Sequence, residues 1–186
     1  MFLEQEGPLN PVLSGYFSKL VSLLISRKQK QLIPYVFDSQ SVVIENLVKH
    51  VGSKSISEVL NKLMTQVDQE DMQAQIQSKQ GWVISNLLNY LGPEHDEETN
   101  LNACSIMQDM VDNKDFFNIM LQSENLQKVL DFACAGIDQS TKASKTTSLY
   151  VINDIISHHL ERAKKKEQSK NERKEANAED EDDIIV

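Results

Sequence analysis

Between Gly7 and Lys28 the chain reads GPLNPVLSGYFSKLVSLLISRK, and Leu13, Tyr16, Phe17, Leu20, Val21 and Leu24 recur at three- and four-residue steps. That spacing predicts a helix with those side chains on its buried face. Asn10 suits the N-cap and Pro11 the first helical position, where a missing N–H is no loss. Val12, Leu23 and Ile25 fall outside the stripe, so the helix is apolar around most of its circumference. Ser14, Ser18, Ser22 and Ser26 add a ridge of small side chains. The pattern predicts a helix sandwiched between neighbours. Phe2 and Leu3 read as the end of an earlier helix, as if the sequence began inside a larger domain. With that earlier layer missing, the serine ridge and Val12 lie open, and the stretch is the chain's most exposed apolar surface and its place of self-association.

Leu32, Ile33, Val36 and Phe37 continue in helical register, with Pro34 predicting either a kink or a fresh start. Ser41 is the expected cap of a helix burying Val43, Ile44, Leu47, Val48 and Val51, which Gly52 would end in the left-handed conformation. Ser53 or Ser55 caps the next helix, Ser55 and Glu58 having capping-box spacing, and Ile56, Val59, Leu60, Leu63, Met64 and Val67 form its apolar face. The polar, Gln-rich residues 68–80 read as a connecting loop. A helix is expected from Trp82 to the Gly92-Pro93 stop, then an acidic solvated loop through Asn100. Further helices are predicted over LNACSIMQDMV (101–111), a short apolar piece over 115–121, one from Ser123 to the Gly136 stop, and one from Leu149 to Leu160. Residues 138–148, rich in Ser, Thr and Lys, read as a connector.

Gly52, Gly92 and Gly136 each follow one apolar helix and precede another, at separations of 40 and 44 residues. Helical repeats of the HEAT and armadillo kind have periods of about 40–47 residues. The expected fold class is all-α, a HEAT/armadillo-like helical-repeat solenoid over residues 1–160. From Glu161 the segment ERAKKKEQSKNERKEANAEDEDD offers nothing larger than alanine to bury. Residues 161–186 are expected to form a charged tail, either disordered or an exposed helical extension. Its terminal EDEDDIIV has the acidic-then-apolar character of segments that add to a partner's sheet edge.

Composition narrows the function. A net charge of −9 argues against nucleic acid, which needs a basic stripe. No apolar run reaches the roughly 20 residues that span a bilayer, so no membrane partner is expected. Cys104 and Cys134 lie among apolar helical residues without CxxC spacing, which predicts buried free thiols rather than a disulfide or zinc site. His158 and His159 are adjacent, so a helix points them about 100° apart and they cannot share a metal. His95 beside Asp96 reads as part of a solvated loop. Phosphate-binding glycine motifs and nucleophile elbows are missing, and Glu97 and Glu98 have no shelter that would raise a carboxyl pKa for acid catalysis. No enzyme and no cofactor are expected, which leaves surface for binding. In a solenoid the second helix of each repeat lines the concave face, where Asn61 and Asn102 offer a partner's backbone both a donor and an acceptor.

Several pieces in order also resemble one family. PLNP at Pro8 to Pro11, Phe17-Ser18-Lys19, the Arg27-Lys28 pair, Lys49 to Gly52, Trp82 and Asn102-Ala103 follow the order seen in the SAPS-domain family over roughly residues 2–160. The resemblance implies a non-catalytic scaffold that binds the catalytic subunit of a phosphatase 6-like protein phosphatase. With an ankyrin-repeat subunit it would help select substrates; free thiols in a reducing compartment point separately to the cytoplasm, and also to the nucleus. Arg27 and Lys28 join Asn61 and Asn102 as candidate partner-binding residues. The alternative expectation is a generic armadillo-like adaptor that holds a peptide or a partner helix.

Overall fold

The structure is a computed structural model that describes residues 2–67, 72–112, 116–136 and 141–182, with the backbone alone at 166 and beyond 168. Among the described residues it is all-helical. The helices are α1 (Pro11–Val36), α2 (Val43–Lys49), α3 (Lys54–Thr65), α4 (Gln73–Leu87), α5 (Glu97–Asp109), α6 (Phe116–Met120), α7 (Ser123–Cys134) and α8 (Lys142–Asp182), with 3-10 turns at Phe2–Glu4 and Leu88–Leu91. The chain divides into two compact units, residues 1–152 and 153–186.

α1 starts as expected. Asn10 Oδ1 accepts from the N–H groups of Val12 (3.0 Å) and Leu13 (3.2 Å). Its orientation differs from the expectation. Ser14 and Ser18 are buried, and Ser22 Oγ accepts from Lys62 Nζ of α3 at 2.9 Å. Val12, Leu13, Tyr16, Leu20 and Leu23 are instead between 52% and 66% exposed. Small side chains let two helix backbones approach closely, and α1 packs chiefly on α3 along this ridge. The stretch does expose a large apolar surface, made by Leu and Tyr rather than by the serines. The helix breaks at Lys28 (φ −136°, ψ 30°) and then runs through Pro34. The break lies upstream of the Lys30 carbonyl, which the proline ring would crowd in an ideal helix.

Phe2–Glu4 forms a 3-10 turn held to the body of the unit. The Phe2 and Phe17 rings lie 5.6 Å apart, and His50 Nε2 sits 3.1 Å from the Leu3 carbonyl oxygen. Gly7, at φ +81°, supplies the reversal into α1 that a side chain would resist.

α2 and α3 bury most of the apolar stripes read from the sequence, Ile44, Leu47 and Val48, then Ile56, Val59, Leu60, Leu63 and Met64, while Val43 and Val67 are half-buried. Their ends differ. Gly52 is not left-handed; a Cβ there would stand 2.7 Å from Thr99 Oγ1, so the glycine admits the first turn of α5. Ser53 holds the N-cap position of α3 without a side-chain cap bond, and Ser55 lies inside the helix, so no capping box forms. Ser41 Oγ accepts a long 3.4 Å bond from Val43 N–H, but Val42 is the N-cap of α2.

The Gln-rich segment is helical from Gln73, while 68–71 lie outside the described residues. Glutamine is a good helix former, and here one face turns inward. Ile76 is buried, and Gln80 Nε2 donates to the Met64 carbonyl at 2.7 Å, satisfying an orphan acceptor in the last turn of α3. α5 likewise starts earlier than expected. Asp96 is its N-cap, accepting from Thr99 N–H at 2.8 Å, and Glu97 and Glu98 stand in the first turn where the helix dipole favours them.

α6 buries Phe116, Phe117 and Met120. α7 buries Val129 and Ala133 but leaves Leu130 and Cys134 exposed, so only Cys104 is the buried thiol expected of both. The Cys104 thiol donates to the Thr147 carbonyl. From Lys142 the connector expected over 138–148 is helix, with Ser144, Thr147 and Ser148 buried, while 137–140 lie outside the described residues. The second unit is the rest of α8, whose backbone is helical through the charged segment to Asp182. The terminal apolar residues 184–186 lie outside the described residues.

Candidate partner-binding site

Asn61 and Asn102 both lie where α5 meets α2 and α3. Asn102 Nδ2 donates to the carbonyls of Val51 (3.0 Å) and Gly52 (3.3 Å), acceptors left over where α2 ends. Asn61 Nδ2 donates to Asp109 Oδ2, two turns further along α5, and its Oδ1 is shielded without a hydrogen bond. The donors of both amides are thus engaged inside the chain. Arg27 and Lys28 stand exposed beside the break in α1, without an ion pair among the described residues.

Asn100, which the sequence reading placed in a solvated loop, is buried. Its Nδ2 donates to the carbonyls of Tyr90 (2.7 Å) and Gly92 (3.1 Å), tying the end of the 3-10 turn to α5. The usable signal was its spacing from Asp96: a residue four beyond a cap lies in the first helical turn.

Around these joints runs an open groove of about 810 Å³, between the segment 7–11, the α2–α3 turn and the start of α5. Several of its polar groups have partners within the chain. Lys49 pairs with Glu6 at 2.6 Å, and the hydrogen bond and charge of Lys49 hold the Glu6 carboxyl below its usual range. Hydrogen bonds from Thr99 lower the Asp96 pKa. His95 stacks against Tyr90 at 4.9 Å, and burial pushes the Tyr90 phenol up. A smaller apolar pocket of about 430 Å³ lies between the Phe2–Glu4 turn, α1 and α2. Among the described residues no three His, Cys, Asp or Glu side chains could jointly hold a metal ion. Nor is any described helix long and apolar enough to cross a membrane. The groove is a junction held by helix-end contacts.

The family model described as SIT4 phosphatase-associated protein, SAPS, matches residues 21–184, most of the chain. The chain belongs to the SAPS family. Its relatives bear the same stamp. The SAPS chain is 30% identical over 112 residues to the chicken (Gallus gallus) protein named serine/threonine-protein phosphatase 6 regulatory subunit 3, covering 59% of this chain and 13% of that protein. It is 30% identical over 112 residues to regulatory subunit 2 of Mus musculus, covering 59% of this chain and 12% of the mouse protein. To the extragenic suppressor of kinetochore protein 1 of Schizosaccharomyces pombe it is 25% identical over 113 residues, 59% of this chain and 13% of the yeast protein. The SAPS chain thus spans only a small part of the length of the curated relatives it matches. No solved structure matches it.

Proposed function

We propose that this SAPS chain is a non-catalytic regulatory or scaffold subunit, which binds a phosphatase 6-like serine/threonine phosphatase catalytic subunit and helps target it to substrates. The observation that carries this reading is the family match, together with relatives named as phosphatase 6 regulatory subunits. An ankyrin-repeat subunit is the second partner in this reading, and Asn61, Asn102, Arg27 and Lys28 are its candidate contact residues. The cytoplasm, with the nucleus, is its place of action; two free thiols suit such a reducing compartment.

In the same reading residues 1–160 form a helical-repeat solenoid, followed by the charged segment 161–186. The packing order supports it. α4 packs on α2 and α5 on α3, so first helix stacks on first and second on second, as in repeat arrays. The Asn102 bonds to Val51 and Gly52 then join one repeat to the turn of the one before.

The test is size-exclusion chromatography of the full chain mixed with purified phosphatase 6 catalytic subunit. Co-elution as a single complex is expected. Separate elution at every concentration tried would overturn the reading for this chain.

A further inference from the structure

We draw no further inference here: the strongest candidate, the groove of about 810 Å³ lined by Lys49, His50 and Lys54 beside the start of α3 and by His95 and Asp96 beside the start of α5, rests on two helix N-termini with no second feature that points to a ligand, and nothing in the structure shows what fills it.

Discussion

α1 and α3 pack on each other, yet they obey opposite rules. α3 buries Ile56, Val59, Leu60, Leu63 and Met64 and turns Lys54 and Glu58 to solvent, as its amphipathic pattern requires. The first half of α1 buries Ser14 and Ser18 and turns Leu13, Tyr16 and Leu20 out, while Ile25, Ile33 and Val36 are buried further along. The difference lies in what each pattern excludes. α3 has charges at positions that forbid every face but one. α1 has a single charge, Lys19, before Arg27, so hydrophobicity leaves its rotation open and shape decides. A ridge of small side chains admits a close neighbour, and the large apolar residues are displaced outward.

The comparison breaks most sharply on truncation. Leu60→Ala in α3 removes a side chain that is 0% exposed and should cost about 2–5 kcal/mol in chemical denaturation. Leu20→Ala in α1 should change stability by no more than about 0.5 kcal/mol, as an exposed site does. Enlarging the ridge comes next. Ser18→Leu should destabilise by about 1–3 kcal/mol through overpacking against α3, although it makes α1 more apolar. An unchanged or raised midpoint would mean the serines do not face α3.

Asn102→Ala should cost about 1–2 kcal/mol, because the Val51 and Gly52 carbonyls lose their donor. Unaltered stability with weakened partner binding would instead make Asn102 a contact residue. The smallest effect is on acid tolerance. The Asp96 pKa is lowered from 3.8 by the Thr99 hydrogen bonds. Its stabilising contribution is therefore full above about 3.8, the unfolded value, and fades as pH falls through the lower folded pKa. Asp96→Asn should lower stability modestly at neutral pH and flatten the acid limb of a stability–pH titration below about pH 4, where the two proteins converge.

Much of the fold was legible in the sequence. The Asn10 cap, the buried stripes of α2 and α3 and the all-helical class follow from spacing and cap chemistry. The helices that were missed or shortened share a cause. Gln73 to Gln80, Glu97 to Asn100 and Lys142 to Ser148 are polar, and their helicity depends on tertiary partners: the Met64 carbonyl for Gln80, the Tyr90 and Gly92 carbonyls for Asn100, and burial for Thr147. A polar residue that satisfies another helix's end looks, in sequence, like one bound for solvent. The candidate site was less legible. Asn102 and Asn61 were singled out for having both a donor and an acceptor, but the sequence does not reveal that their own chain engages the donors.

The rotation of α1 can be tested directly by thiol accessibility. In a chain with Cys134→Ser, Leu20→Cys and Ser18→Cys would be compared for labelling by a maleimide under native conditions. Leu20→Cys should react like a free thiol while Ser18→Cys is protected until unfolding. Protection at position 20 with rapid labelling at position 18 would contradict the account.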